Sequence, residues 1–220
     1  AWSLFRRQVM WTGIGTVVMF AAMRVDYRRL RLIAVPAAVL SGVLLVLVLV
    51  PGVGVSRNGA TRWIDVVGPF RFQPSEFAKL GLVLFTADIL SRPSRDMRNT
   101  AVTFRPVVAV TGLFVCLLML QPHLGNALII AVAVCTMLFI GGAPLTHLAV
   151  VTAIGGFGTA VAVLGTSWRR QRFQVFLDPW SDPEGLGYQS LQSLHAITVG
   201  GITGVGLGES LAKWGFLPFA

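Results

Sequence analysis

Residues 106–141 read PVVAVTGLFVCLLMLQPHLGNALIIAVAVCTMLFIG and contain no Asp, Glu, Lys or Arg. They form two apolar runs, 106–121 and 124–141, separated by the turn around Pro122 and His123. Each approaches the ~20 residues that a helix needs to cross a ~30 Å hydrocarbon core. Gly112 and Gly141 argue little against helix there, because neighbouring helices in a bilayer satisfy backbone groups that a glycine loosens.

Comparable runs lie near 8–23, 32–51, 76–91 and 145–165, which makes six in all. The expected fold is an all-α polytopic membrane protein with about six transmembrane helices in this chain and a large extracytoplasmic loop. Residues 1–165 are then the transmembrane region and 166–220 the extracytoplasmic one. Composition agrees: 220 residues that are 55% hydrophobic and 12% charged carry more apolar surface than a water-soluble domain of this size can bury. Mean hydropathy is +0.74.

The net charge of +9 rests on 16 Arg and 2 Lys placed between the apolar runs, not on a stripe interleaved with aromatic residues. That pattern disfavours nucleic acid and fits anionic membrane lipids. Arg24, Arg28, Arg29 and Arg31, and Arg92, Arg95, Arg98 and Arg105, mark two compact connections as cytoplasmic by the positive-inside rule. Arg57, Arg62, Arg71, Arg169, Arg170 and Arg172 on the other side weaken that bias. Cys116 and Cys135 sit inside apolar runs, without metal-ligand spacing to any histidine. The opening Ala1 leads us to expect a piece of a longer protein.

Beyond Trp168-Arg169-Arg170 the composition turns polar and aromatic, and Pro179, Pro183, Gly185 and Gly187 predict a structured loop. Leu191, Leu194 and Ile197 predict a short amphipathic helix over 189–199. The glycine-rich stretch 200–208 has neither the GxGxxG spacing nor the βαβ context of a dinucleotide site.

Two constellations carry chemistry. In Arg71-Phe72-Gln73-Pro74-Ser75-Glu76-Phe77-Ala78-Lys79, polar groups run straight into an apolar span. Pro74 suits the first turn of a helix, Gln73 or Ser75 can satisfy free N–H groups, and Glu76 sits at the positive end of the dipole. Glu76 and Lys79, three residues apart, can pair as a structural salt bridge. Alternatively, Arg71 and Lys79 present positive charge to an anionic head group. In the second constellation Asp178, Asp182 and Glu184 lie on a segment stiffened by Pro179 and Pro183, as a general base or a ligand of a hard cation requires. The alternative is an ordinary solvated Asp-Pro turn.

Taken together, Gly59-Ala60-Thr61-Arg62-Trp63-Ile64, Gln73-Pro74-Ser75-Glu76-Phe77-Ala78-Lys79, Gln121-Pro122-His123-Leu124-Gly125, Asp178-Pro179-Trp180-Ser181-Asp182-Pro183, Gly187-Tyr188-Gln189, Gln192-Ser193, Gly206-Leu207-Gly208, Lys213-Trp214 and Leu217-Pro218 resemble the SEDS family of bacterial cell-wall proteins. Order and spacing agree from about Gln8 to Pro218. Leu207-Gly208-Glu209-Ser210 and the run 213–218 look closer to the family's division members than to its elongation members. The resemblance implies a multi-pass glycosyltransferase of the bacterial plasma membrane. It would polymerise lipid II into a nascent glycan strand, beside a class B penicillin-binding protein and other divisome or elongasome membrane proteins.

It also implies that Asp182 is the essential loop aspartate, that Arg71 and Lys79 form the basic pair, and that Gln192, Ser193 and Lys213 shape the loop or the substrate groove. Asp182 would act as base directly or through a bound divalent cation, Mg or Mn, while Arg71 and Lys79, beside Glu76, take the phosphates. His123 stands where the family pattern has an acidic residue, and members of the family continue past Leu217-Pro218 to about ten helices. Two rival readings stay open: a lipid II flippase with a path along Glu76, Lys79 and Asp88, and a non-catalytic divisome scaffold.

Overall fold

The computed structural model describes residues 2–57, 60–67, 70–92, 102–206 and 209, without the side chains of residues 1–4, 56–60 and 66–71. The described residues form eight α-helices, one 3-10 turn and three short strands. The fold is that of an all-α polytopic membrane protein.

Helices α1 (Trp2–Met23), α2 (Tyr27–Leu47), α3 (Pro74–Leu90), α4 (Phe104–Leu120), α5 (Leu124–Ile140) and α6 (Leu145–Leu164) cover the six apolar runs. By length and composition, α2 and α6 can each cross a membrane, whereas α4 and α5 are equally apolar but shorter. The chain divides into two compact units, Ala1–Thr152 and Ala153–Ala220, with the division inside α6.

In the first unit the most extensive packing joins α2 to α3, with α4 and α5 against them. A side chain at Gly81 would meet Ser41 Oγ at 2.6 Å and the Ala37 carbonyl oxygen at 2.9 Å, so α2 and α3 approach more closely than any residue but glycine allows. Leu82, Ile89, Val107, Phe114, Leu118, Ile130, Val134 and Leu138 fill the space between α3, α4 and α5. Large apolar side chains such as Leu32, Val132 and Ile154 remain exposed, as expected where lipid is the solvent.

Buried side-chain amides in this packing are paired, whereas the Thr86 hydroxyl on α3 is buried without a partner among the described residues. The Gln121 side-chain amide donates to the Leu45 carbonyl at 2.9 Å, and the Asn126 amide donates to Ser75 Oγ at 2.8 Å. Where α2 begins and α3 ends, both oxygens of the Asp88 carboxylate are engaged. Arg31 Nε donates to Oδ1 at 2.8 Å, and an Arg92 Nη donates to Oδ2.

The connection from α2 to α3 holds an antiparallel sheet of β1 (Gly54–Arg57), β2 (Ala60–Val67) and β3 (Phe70–Phe72) in the order β1-β2-β3. Val55 pairs with Trp63, and Ile64 with Phe72. Phe72 stacks on Phe77 with ring centroids 4.8 Å apart, which seats the sheet on the first turns of α3.

In the second unit, α7 (Ser167–Leu177) occupies part of what the polar composition predicts as loop. The correction has a physical reason. Arg and Gln are good helix formers, and the breakers that mark this region begin only at Pro179. A 3-10 turn, Pro179–Ser181, follows, and then α8 (Tyr188–Gly200), which extends the predicted 189–199 helix by one residue at each end.

Candidate functional site

The N-terminus of α3 gathers the polar groups of the first unit. Pro74 occupies its first turn, where the missing N–H costs nothing, and Glu76 lies in the same turn. Neither Gln73 nor Ser75 caps the helix, contrary to the sequence reading. Their side chains are spent across elements. Gln73 Nε2 lies 3.0 Å from His123 Nε2, and Ser75 Oγ accepts from Asn126 of α5.

Glu76 and Lys79 form the expected ion pair, with Oε2 to Nζ 2.8 Å. The Glu76 side chain is 55% exposed and that of Lys79 29%, so the pair remains open to a ligand. From β2, Arg62 donates to the carbonyl oxygens of Gln121 and Pro122 and ties the sheet to the turn between α4 and α5. That turn carries His123. Partial burial pushes its imidazole below the usual histidine range, the Arg62 cation pushes it further, Glu76 opposes, and Lys79 adds a small push in the same direction as Arg62.

Arg62, Gln73, Glu76, Lys79 and His123 thus share one electrostatic neighbourhood. Sequence spacing identified only the Glu76–Lys79 pair. Asn126, a buried amide in an apolar run, carried a signal that spacing did not use. The backbone of Arg71 pairs with Asp65 across β2 and β3, while its side chain lies outside the described residues. Lys213 and the run 213–218 lie outside them as well.

The second unit holds the acidic loop. Asp178 ends α7 and starts the 3-10 turn, accepting from Trp180 N–H at 3.1 Å on its carboxylate and from Ser181 Oγ at 2.7 Å on its carbonyl. Asp182 Oδ1 accepts from Gly185 N–H at 3.1 Å and Oδ2 from Leu186 N–H at 2.9 Å. Its carbonyl accepts from Gly187 N–H at 3.0 Å. The carboxylate is therefore held by both oxygens, and each retains a lone pair for a further partner.

Two glycines make this possible. A Cβ on Gly185 would overlap the Asp182 carboxylate, and one on Gly187 would overlap the carbonyl oxygens of Pro179 and Asp182. Glu184 is exposed on the rim. The Ser193 hydroxyl donates to Gln189 O at 2.8 Å along α8, and Gln192 is half-buried on the same helix.

Among the described residues no three His, Cys, Asp or Glu side chains come together as a metal cage. A hard cation such as Mg often takes only one or two carboxylates and completes its shell with phosphates and water, so the twice-anchored Asp182 fits that role as a single ligand.

Along residues 1–220 the chain matches the FtsW/RodA/SpoVE family, described as cell cycle proteins. It is 39% identical to stage V sporulation protein E of Bacillus subtilis (strain 168) over 213 residues, 97% of this chain and 58% of that protein. It is 34% identical to the probable peptidoglycan glycosyltransferase FtsW of Mycobacterium tuberculosis (strain ATCC 25618 / H37Rv) over 220 residues, 100% of this chain and 42% of that one. Among solved structures, it resembles a chain from a peptidoglycan synthase complex studied for the coordination of polymerization and crosslinking. The TM-score is 0.70, with 40% identity over 90% of this chain and 57% of that chain. The rod shape determining protein RodA of Thermus thermophilus gives a TM-score of 0.58 and 38% identity over 72% of this chain and 50% of that chain. The chain spans about half the length of the relatives it matches.

Proposed function

This chain belongs to the FtsW/RodA/SpoVE family of cell cycle proteins, and from that premise we propose that it is part of a peptidoglycan glycosyltransferase of the bacterial plasma membrane. All six helices α1 to α6 cross the membrane in this reading. The Arg-rich ends at Arg31 and Arg92 face the cytoplasm, and the sheet, the turn at His123 and the acidic loop face outward.

The reaction joins lipid II disaccharide units. The acceptor hydroxyl oxygen forms a bond to the donor's anomeric carbon, the bond from that carbon to the lipid pyrophosphate breaks, and the hydroxyl proton passes to a base. Asp182 is that base. The observation that carries the assignment is the double anchoring of its carboxylate by Gly185 and Leu186 N–H, which fixes its direction and leaves each oxygen able to accept once more.

Lys79 and Arg71 receive the charge that develops on the pyrophosphate. Lys79 suits this because its partner Glu76 is exposed and can yield it to a phosphate oxygen. A divalent cation shared by Asp182 and the substrate phosphates would supply further charge neutralisation when bound. Gln192, Ser193 and Lys213 serve to shape the loop or the substrate groove. A class B penicillin-binding protein supplies crosslinking, a partnership supported by likeness to the peptidoglycan synthase complex.

The test is polymerisation of purified lipid II by the full-length protein with its transpeptidase partner. Asp182→Asn lowers the rate by about 10²-fold or more while partner binding persists. An unchanged rate sinks the assignment. Retained activity after exhaustive chelation removes the cation and leaves the base.

A further inference from the structure

We propose that α7 lies flat in the head-group region of the bilayer, anchored by an apolar stripe of Phe173, Phe176 and Leu177 that Trp180 continues in the following turn. Phe173, Phe176 and Leu177 fall at i, i+3 and i+4, so they share one face, and each of them, like Trp180, is more than half exposed. Val175, one or two residues from each of the helical members, points the other way and is buried.

The chain itself brings this stripe to a membrane. Apolar α6 ends at Leu164 and α7 begins at Ser167, so only Gly165 and Thr166 lie between them. Two residues reach no further than ~7 Å, which keeps the first turn of α7 at the depth where α6 leaves hydrocarbon. Arg169 reinforces this by donating to the Ala162 carbonyl in the last turn of α6 at 3.2 Å.

At 11 residues α7 is too short to cross, and its four Arg and Gln side chains between 169 and 172 could not enter hydrocarbon. Lying in the interface satisfies both halves of its composition. Arg170 and Arg172 are exposed beside the stripe, where anionic phosphates attract them. Trp168 sits at the start of the helix with the Arg169 and Arg172 guanidiniums 5.5 and 5.9 Å from its ring, and Trp180 lies beyond the other end. Both have the amphipathic ring favoured at head-group level.

A lipid surface is therefore the occupant of the stripe. The inference rests on α6 as a membrane span and is independent of the polymerase reading. It also sets the depth of Asp182, five residues beyond the end of α7.

The experiment uses the full-length protein with its cysteines removed, Cys116→Ala and Cys135→Ala among them, reconstituted in vesicles of phosphatidylcholine and phosphatidylglycerol. A bimane label is carried in turn by Phe176→Cys, by Leu177→Cys and, on the polar side, by Gln171→Cys. Labels at 176 and 177 are quenched about threefold more strongly than that at 171 by a shallow nitroxide lipid, and aqueous iodide shows the reverse order. Equal access of iodide to all three positions overturns the proposal. Protection of 176 and 177 from both quenchers means that protein covers the stripe, which overturns it too. Neither result bears on whether Asp182 is the base.

Discussion

The two ends of α3 handle charge in opposite ways. At one end Asp88, with a side chain only 1% exposed, is gripped by Arg31 and Arg92, so one buried carboxylate faces two guanidiniums and locks α2 to α3. At the other end, about 18 Å away along the helix axis, Glu76 and Lys79 pair one to one and stay accessible. The same residue types build a clamp around a carboxylate hidden from solvent and a site whose charges a ligand can reach. Burial is what separates them.

The largest effect should come from breaking the clamp. Asp88→Ala leaves two partly exposed guanidiniums without their carboxylate and should cost about 1–2 kcal/mol, read as a lower unfolding midpoint in detergent. An unchanged midpoint would erase the distinction between the ends. Arg31 and Arg92 hold Asp88 so fully that it offers little to an ion or lipid path, which weakens the flippase reading.

Next comes Lys79→Ala, expected to lower lipid II polymerisation by about tenfold or more while shifting stability by less than about 1 kcal/mol, since an exposed pair contributes little to folding. Should the stability loss match that of Asp88→Ala, Lys79 belongs to a second clamp instead.

The smallest effect concerns His123. Its imidazole titrates lower in the folded protein than in the unfolded chain, so between those two values the unfolded chain binds more protons. The stability that this neutral imidazole provides is complete above about 6.5, the unfolded value, and is lost as pH falls through the lower folded value. Melting temperature should therefore fall on acidification below about 6.5, and less in His123→Gln. Equal slopes would remove His123 from the Arg62 neighbourhood.

The membrane helices were legible because unbroken apolarity is a one-dimensional property that survives without knowing any neighbour. The Glu76–Lys79 pair was legible because i,i+3 spacing belongs to a single helix. What escaped was contact between elements. Gln73 meeting His123, Ser75 meeting Asn126, and Arg62 on the Gln121 and Pro122 carbonyls each join residues about fifty or more positions apart. The three-stranded sheet escaped because its outer strands are short and its strands carry charge, and α7 because its arginines hid a helical stripe. Asp182 was singled out through its motif, but the amides that hold it became visible only in three dimensions.

Among the described residues, the bonds that shape the acidic loop run between residues 178 and 188 and call on no distant helix. Such a loop behaves as a cassette. In a deep library of variants its tolerance should fall abruptly at Asp178 and recover within α8, with Gly185 and Gly187 as intolerant as the aspartate they make room for. Recombination between relatives should exchange the segment whole, because half of it carries either a carboxylate without its amides or amides without their carboxylate.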